Sequence, residues 1–306
     1  MSRTPATDAT ALTAATLNAL VDFDALVISG AAQSGSIYGT LATALAAGAK
    51  HIKVLSGTFV ENITVGADAT LEGNGWDTII TGIVTQSGAR SRLHNLQLYN
   101  SSDDALRITA SNVHNGDLYI NTPGAKGIEI ESAVTGVKFG TVTIASSVAD
   151  ALSIGSTASD VSFESLTILS PGSDGIAISG GTKLKFGVVE IDTAGGHGVN
   201  MTAGEAIFGI MCVDGCTGDG VLIAGTSFAQ IGLLSTDNNG GDGLSVEGTA
   251  ICFASNVRAD LNTGTGVDIT STNITKCGVG LVYAQNNIVA QTDYATVNDA
   301  GGSYVA

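Results

Sequence analysis

The sequence predicts an all-β protein that folds as a single-stranded, right-handed parallel β-helix with three sheets. Two markers carry this prediction: a phenylalanine slot that recurs every 22 to 24 residues, and an aspartate–glycine slot that follows it by 11 or 12 residues. Aliphatic residues between the markers alternate with the period of two that is typical of strands. Two markers in constant phase over eight repeats indicate a solenoid.

The clearest copies of the repeat are VKFGTVTI (137–144), VSFESLTI (161–168) and LKFGVVEI (184–191). Each copy contains two alternating apolar pairs separated by a one-residue slip, which predicts a bend between two short strands. A polar turn and a third strand complete the coil. With coils stacked about 4.8 Å apart, residues 52–289 have room for about ten. Like residues should then stack inside the core, and the predicted ladder consists of Phe139, Phe163, Phe186, Phe208 and Phe253.

Three parts are predicted along the chain: an N-terminal anchor or cap (1–36), the β-helix (37–290) and a C-terminal cap (291–306). Residues 38–47 have the spacing of a short helix that covers the first coil. A second helix is predicted over 9–21, either as an extra packed cap or as an anchor that docks into a larger assembly. Its apolar positions, and the candidate anchor residues, are Leu12, Leu17, Leu20 and Val21.

Composition excludes several classes of partner. The net charge is −16, from 28 acidic and 12 basic residues, which argues against binding to nucleic acid or to an anionic membrane. No apolar run approaches the ~18 residues of a membrane-spanning helix. No secretion signal follows Met1, so folding in a host cytoplasm is expected. The four cysteines lack the paired spacing of a zinc site and are expected to be free thiols.

The aspartate–glycine slot admits two interpretations. In the first, each aspartate starts a tight turn by capping the backbone two residues on, and glycine supplies a positive φ. In the second, Asp150, Asp174 and His197 on three successive coils form a catalytic site. Carboxylates one and two coils apart would be separated by about 4.8 and 10 Å. Those separations bracket the ones that retaining and inverting glycosidases use.

Other candidate chemistry is sparse. No residue set supplies the six to eight oxygens of a calcium site, so no metal or cofactor is expected, although Ca²⁺ remains open. Trp76 and several tyrosines are candidates for contact with a glycan or for packing, and no glycan-binding residue is assigned. The histidines outside the slot are predicted to be unclustered surface residues. The tyrosines are Tyr99, Tyr119 and Tyr283, and the histidines are His51, His94 and His114.

The segment 51–75, HIKVLSGTFVENITVGADATLEGNG, resembles the first coils of the pectin-lyase-like and pectin-methylesterase-like β-helices. The resemblance extends to about residue 290 and implies the fold more than a function, because many chemistries use this scaffold. Polygalacturonase-like members carry an Asp, an Asp pair and Gly-His-Gly on successive coils. Here Asp150, Asp174 and His197 match that order, but Ser173 replaces one Asp of the pair and Gln230-Ile231-Gly232 stands where the family has Arg-x-Lys.

The short N-terminal segment, the absence of a signal and the Gly-, Ser-, Thr- and Ala-rich composition together resemble bacteriophage tailspike-like proteins, including capsid-decoration proteins with this fold. The resemblance implies a homotrimer on the virion that contacts other virion proteins through its N-terminal segment and a host-surface glycan as a further partner. Outward apolar positions such as Ile210, Ala224 and 225–234 are expected to supply part of the trimer contact. The expected function is structural, and a glycan depolymerase (glycoside hydrolase or lyase) is the alternative.

Overall fold

The computed structural model describes residues 23–288 and 290–294, which contain short strands, turns and almost no helix. The first half of the strands are β1 (Ala25–Val27), β2 (Ile37–Tyr38), β3 (His51–Val54), β4 (Gly57–Val60), β5 (Ile63–Val65), β6 (Thr70–Glu72), β7 (Thr78–Thr81), β8 (Val84–Gln86), β9 (Arg92–His94), β10 (Leu96–Tyr99), β11 (Leu106–Ile108), β12 (His114–Asn115), β13 (Leu118–Asn121) and β14 (Ile128–Ile130). The second half are β15 (Thr135–Ala145), β16 (Leu152–Ile154), β17 (Ser159–Leu169), β18 (Ile176–Ile178), β19 (Leu184–Asp192), β20 (Val199–Met201), β21 (Glu205–Asp214), β22 (Val221–Ile223), β23 (Phe228–Asp237), β24 (Leu244–Val246), β25 (Ile251–Asp260), β26 (Thr265–Ile269), β27 (Gly278–Gln285) and β28 (Ala290–Tyr294).

These strands form three parallel sheets that wind into a solenoid of about 11 turns, with about 23 residues per turn. Sheet A has the order β2-β1-β3-β6-β9, and sheet B has the order β27-β25-β23-β21-β19-β17-β15-β13-β10-β7-β4, with β12 also paired to β15. Sheet C has the order β28-β26-β24-β22-β20-β18-β16-β14-β11-β8-β5. The predicted three-sheet β-helix is therefore confirmed, and its form is consistent with the expected right-handed winding.

Pairing of the first and last strands shows where the described solenoid extends. β1 pairs in parallel with β3, so sheet A begins before residue 37. At the other end β28 pairs with β26 and continues sheet C to residue 294. The solenoid thus reaches beyond both predicted boundaries of its central part. The candidate anchor residues Leu12, Leu17, Leu20 and Val21 lie outside the described residues.

A short helix, α1 (Leu41–Ala46), covers the first coil as predicted. Thr40 is its N-cap, and the Thr40 side chain accepts a hydrogen bond from the Thr43 amide. The two carboxylate oxygens of Glu61 each accept an amide hydrogen bond of 2.8 Å from the first helical turn. Leu41 and Ala44 are fully buried, so the helix packs its apolar side on the end of the core. None of the described helices is long and apolar enough to cross a membrane.

Four phenylalanines of the predicted ladder stack inside the tube. The ring centroids of Phe139 and Phe163 lie 4.5 Å apart, those of Phe163 and Phe186 lie 5.5 Å apart, and those of Phe186 and Phe208 lie 4.8 Å apart. Adjacent ring planes are within 10° of parallel. Each ring is at most 2% exposed. The separations match the strand spacing of about 4.8 Å, because each ring sits on the ring of the preceding coil.

Phe253 does not belong to this ladder, and its predicted place in the core is wrong. The backbone register aligns Phe208 with Ile231 and Ile231 with Ala254, so these two buried residues continue the inner column. Phe253 is aligned instead with Gln230, points outward, and is 43% exposed. The coil after Phe208 is one residue longer than the sequence pattern suggests. That single-residue slip moves a side chain to the opposite face of a strand.

The turn between sheets B and C carries a buried asparagine ladder in the last coils. Asn239, Asn262 and Asn287 are each at most 7% exposed. The Asn262 Oδ1 accepts hydrogen bonds from the Asn239 amide (3.1 Å) and from the Asn239 Nδ2 (2.9 Å). In turn the Asn262 amide and Nδ2 both donate to the Asn287 Oδ1. This ladder satisfies turn amides that no strand partner reaches.

Candidate functional site

The residues of the aspartate–glycine slot lie in one file along the solenoid, at the turn that leads into sheet C. Each residue stands just before the glycine or alanine that precedes a sheet C strand, and those strands are in direct register from coil to coil. Their side chains are mostly half-buried. We call this file the aspartate column, and it comprises Asp104, Asp150, Asp174, His197, Asp219 and Asp242.

Side chains of the column accept hydrogen bonds from the backbone of the next coil. Asp150 Oδ1 accepts from the Asp174 amide at 3.2 Å, Asp174 Oδ1 from the His197 amide at 2.8 Å, and Asp219 Oδ1 from the Asp242 amide at 2.7 Å. The contacts Asp104–Lys126, His197–Asp219 and Asp242–Thr265 repeat the pattern. The predicted cap within each aspartate's own turn is replaced by a cap on the turn one coil further on.

The glycines of the slot are explained by close approach rather than by a positive φ. Gly175, Gly198 and Gly220 are absent from the left-handed region that other glycines of the chain adopt. A Cβ on Gly175 would lie 2.5 Å from the Gly198 carbonyl oxygen, and a Cβ on Gly198 would lie 2.5 Å from that of Gly220. The predicted conformational role is therefore wrong at these positions. At these three glycines the successive turns are packed too tightly for a side chain, whereas Ala105 and Ala151 occupy the same slot on earlier coils.

The catalytic candidates Asp150, Asp174 and His197 are brought together as neighbours in this column. Both oxygens of Asp174 are engaged, because Oδ2 accepts a 2.8 Å hydrogen bond from Asn200 Nδ2 while Oδ1 holds the His197 amide. Asn200 Oδ1 is buried and has no hydrogen-bond partner within the described structure. In this arrangement the carboxylates accept hydrogen bonds from the protein itself. In a glycosidase the two catalytic carboxyl groups flank the glycosidic bond that is cleaved.

His197 is the one imidazole of the column, and its ring has two contacts with Asp219. Its Nδ1 lies 3.0 Å from the Asp219 amide nitrogen and 3.4 Å from Asp219 Oδ2. A neutral ring accepts from the amide through Nδ1, whereas a protonated ring presents an N–H to the carboxylate. The neighbouring Asp219 carboxylate raises the pKa of His197 above its ordinary value, against the effect of burial. Burial also raises the pKa of Asp242.

The aspartate pair Asp103–Asp104 belongs to an ion-pair cluster on the outer side of sheet C. Arg107 lies 2.8 Å from Asp104 Oδ2 and 3.0 Å from Glu129 Oε2, and Lys126 lies 2.6 Å from Glu129 Oε1. The Asp104 carboxylate raises the pKa of Arg107. Opposite charges are thus matched within the cluster. In the part of the chain that the structure describes, no group of three or more His, Cys, Asp or Glu side chains is arranged to hold a metal ion.

A second candidate feature is apolar and lies on the outer side of sheet B in the last coils. Its side chains are 40–58% exposed, although all are aliphatic or aromatic. Register places Ile210 beside Leu233, and the Phe253 ring lies 6.0 Å from the Phe228 ring. We call this surface the apolar face, and it comprises Ile207, Ile210, Leu233, Phe253 and Leu281.

Only some of the residues that were expected to face outward for a trimer contact are exposed. Ile210 is 42% exposed, as expected for an outward contact. Most apolar residues of 225–234 are core residues, since Ala229, Ile231 and Leu234 are at most 2% exposed and only Leu233 is 45% exposed. The sequence argument missed Leu281 because the last coil carries no marker residue in the phenylalanine slot.

Comparison with known proteins gives no family for this chain. No family model, curated protein or solved structure matches the chain. The observations that bear on function are therefore the fold, the aspartate column and the apolar face.

Proposed function

We propose that this protein is a structural β-helix that assembles with copies of itself, as a homotrimeric surface component of a bacteriophage particle. The observation that carries the proposal is the apolar face. Its five side chains, each at least 40% exposed, lie on adjacent strands of one sheet. Exposed Gln230 lies between Ile207 and Phe253, and exposed Asn256 lies between Leu233 and Leu281, so two polar side chains interrupt this surface. A group of exposed apolar side chains of this kind marks an interaction site.

A second copy of the chain is the occupant that the geometry favours. The outer side of a parallel sheet in a straight solenoid offers a long face with regular spacing, so another solenoid can lie along it. The aspartates Asp214, Asp237 and Asp260 stand in register at one edge of this sheet. Their charge keeps that edge in water and limits the contact to the apolar strip, in the manner of a polar rim.

The aspartate column supports a structural role over a catalytic one. Its carboxylates hold backbone amides of the next coil, as described above for Asp150, Asp174 and Asp219. A carboxylate that is used in this way stabilises the stacking of coils and is not free to act on a substrate. The same hydrogen bonds explain why the residue type recurs without any need for chemistry.

The particle setting rests on the resemblance to tailspike-like and capsid-decoration proteins. In this proposal the segment before residue 23 contacts other virion proteins, and the outer side of the solenoid faces the host surface. Assembly on the particle and host-surface attachment are the roles that follow. The protein is made in the host cytoplasm and acts on the virion.

Light scattering coupled to size-exclusion chromatography tests self-association. The wild-type chain is expected at three times the 30.5 kDa mass of one chain. Leu233→Asp places a charge in the apolar face and is expected to yield the monomer with an unchanged circular dichroism spectrum. Thr141→Asp, an exposed position of the same outward column on an earlier coil, is the matched control and should remain trimeric. A monomeric wild type at micromolar concentration overturns the proposal.

The glycan depolymerase remains the second candidate, and one observation favours it. His197, with its raised pKa, lies between Asp174 and Asp219 on adjacent coils, which is an arrangement suited to general acid catalysis. Under this alternative, Asp174→Asn and His197→Ala abolish release of reducing ends from host polysaccharide and leave the mass of the assembly unchanged. Under the structural proposal, the wild type releases none.

A further inference from the structure

The outer side of the early coils carries a row of cations that form no ion pair with the residues that the structure describes. Arg92, Lys138 and Lys185 are exposed cations of one outward column that also holds the exposed ring of His114, and we call these four residues the cationic column. The register pairs His114 with Lys138, Lys138 with Ser162 and Ser162 with Lys185. The His114 amide donates to the Ser91 carbonyl, which aligns His114 with Arg92.

This column is unusual in a chain of net charge −16. Arg90, Arg107 and Arg258 each form ion pairs with aspartates, and Lys53 and Lys126 each form an ion pair with a glutamate. Within residues 23–288, Arg92 and Lys138 form no ion pair. Four coil steps of ~4.8 Å separate the Arg92 row from the Lys185 row, so the column is about 19 Å long. The protein has many acidic residues, yet none of them pairs with this row of cations. Such a row indicates an anionic ligand that supplies the negative charge.

A cleft of about 420 Å³ opens beside the start of this column. Its lining includes Arg92, His94 and His114 together with Asn95 and Asp117. Two of the histidines that were predicted to be unclustered, His94 and His114, therefore line one cleft, because the 22-residue coil that aligns His114 with Arg92 brings them into adjacent rows. Burial, together with Lys138 and Arg92, lowers the pKa of His114, so its ring is neutral near pH 7 and offers both a donor and an acceptor.

Two aromatic rings stand next to the same cleft. The Trp76 side chain is 50% exposed, and its ring centroid lies 5.8 Å from that of Tyr119. Tyr119 is two residues beyond the lining residue Asp117 on the same outward side. The Gly75 amide donates to the carbonyl of the lining residue Asn95, so Trp76 directly follows a residue that is bonded to the cleft wall. An exposed tryptophan face beside polar side chains suits the flat apolar side of a sugar ring.

We propose that this cleft and the cationic column bind an acidic saccharide that lies along the solenoid axis. A neutral sugar unit stacks on Trp76 and gives its hydroxyl hydrogens to Asp117 and Asn95. The acidic groups of neighbouring units lie on Arg92 and Lys138, where guanidinium and ammonium groups donate to carboxylate or sulfate oxygens.

The geometry favours a saccharide over single-stranded nucleic acid, which also uses cations and aromatic rings. Nucleic acid carries a charge on every unit, and the Asp117 carboxylate at the aromatic end would repel one of them. The column has a single aromatic pair at one end, whereas successive bases need successive stacking platforms. A glycan that alternates neutral and acidic units fits a surface on which the aromatic pair is followed by the cationic column. The inference concerns the early coils, whereas self-association is proposed for the apolar face on the last coils of the same outward surface.

Trp76 is the only tryptophan of the chain, so its fluorescence reports on this site alone. The wild-type protein is titrated with hyaluronan hexasaccharide and with hexagalacturonate, and in parallel with maltohexaose and the oligonucleotide dT6. At least one acidic saccharide is expected to change the emission, with an affinity that falls as salt is raised. The neutral saccharide and the oligonucleotide are expected to bind at least tenfold more weakly. No response to either acidic probe, or equal affinity for maltohexaose or dT6, overturns the proposal.

Variants locate the site by calorimetry, which does not depend on the tryptophan. Arg92→Ala and Lys138→Ala are each expected to weaken binding about tenfold, which corresponds to the loss of one charged hydrogen bond. Lys276→Ala removes an exposed cation far along the chain and should leave the affinity unchanged. Equal affinities for all three variants would overturn the assignment. The same titration on the Leu233→Asp monomer separates the two proposals, because binding there is expected to survive the loss of self-association.

Discussion

The cationic column and the apolar face are neighbouring parts of the same outward surface. The backbone register that aligns Ser162 with Lys185 continues directly to Ile207, then to Gln230 and Phe253. Within one coil step the outward position changes from a lysine to an isoleucine that is 40% exposed. On the inner side nothing changes there, because Phe186 stacks on Phe208 across the same step.

This difference shows how a solenoid divides its sequence between stability and function. Inner positions must fill a tube of constant width, so they are aliphatic or aromatic on most coils. Gln86 and Asn115 are buried polar exceptions, and the Asn115 Nδ2 donates a hydrogen bond to the Gln86 Oε1. Outer positions meet only their neighbours in the same column and are free to differ from coil to coil. Two surfaces of opposite character can therefore lie on one sheet without any change in fold.

The largest expected effect compares two phenylalanines from the two regions. Phe163→Ala removes a ring that is 2% exposed and stacked on both sides, and is expected to lower the free energy of unfolding by about 3–5 kcal/mol. Phe253→Ala removes a ring that is 43% exposed and is expected to cost about 1 kcal/mol or less. Urea denaturation of both variants in the Leu233→Asp background measures the difference without a contribution from self-association.

Equal losses for Phe163→Ala and Phe253→Ala would mean that the apolar face is packed in the single chain. The comparison of the two regions would then fail, because the last coils would have no outward surface of their own. A loss for Phe253→Ala that appears only in the wild-type assembly would instead place that ring in the contact between copies.

Most of the fold was predictable because the inner wall repeats. The length of the repeat follows from the spacing of Phe139, Phe163, Phe186 and Phe208. The aspartate slot follows the phenylalanine slot at a nearly constant distance, which confirms the repeat. What the pattern could not give was the register after Phe208. A coil one residue longer leaves the period almost unchanged but turns every side chain over, so Phe253 was wrongly predicted to be buried.

The site was less predictable than the fold, for a physical reason. Sequence places Asp150, Asp174 and His197 in one file, and the structure agrees. Whether a carboxylate can act on a substrate depends on whether it already accepts a hydrogen bond from the amide one coil away. An aspartate that recurs on successive coils is expected both in a hydrogen-bonded ladder and in a catalytic site, so the sequence does not distinguish them. The pairing of Trp76 with Tyr119 was not visible either, since it depends on how a loop of the early coils lies across sheet B.

The turn between sheets B and C offers a second contrast, with an intermediate effect. Asn262→Ala removes the acceptor of two Asn239 hydrogen bonds in a buried turn of the last coils and is expected to cost about 2–4 kcal/mol, since buried donors are left unpaired. Ser147, at the equivalent turn of an earlier coil, donates a single 3.0 Å hydrogen bond to the Ala149 carbonyl. Ser147→Ala is expected to cost about 1 kcal/mol. Thermal denaturation monitored by circular dichroism ranks the two.

An Asn262→Ala variant as stable as Ser147→Ala would show that water replaces the ladder. In that event the last coils would be held together by their strands alone.

The smallest expected effect is a pair of opposite pH dependences. The Asp219 carboxylate raises the folded-state pKa of His197 above the ordinary value of 6.5, so protonation of His197 favours folding. This contribution is complete below pH 6.5 and is lost as the pH rises through the raised pKa. His197→Asn keeps an acceptor for the Asp219 amide and does not titrate, so the wild type should lose stability relative to it as the pH rises above 6.5.

His114 in the cationic column should show the reverse sign. Burial, Lys138 and Arg92 lower its folded-state pKa below 6.5, so the folded protein disfavours the protonated ring. Stability relative to His114→Gln should then be fully present above pH 6.5 and should fall as the pH drops through 6.5. Melting temperatures from pH 5 to 8 measure both differences. Slopes of the same sign would contradict the assignment of one histidine to a cationic surface and the other to an acidic one, because the sign of each slope follows directly from the charges that surround the ring.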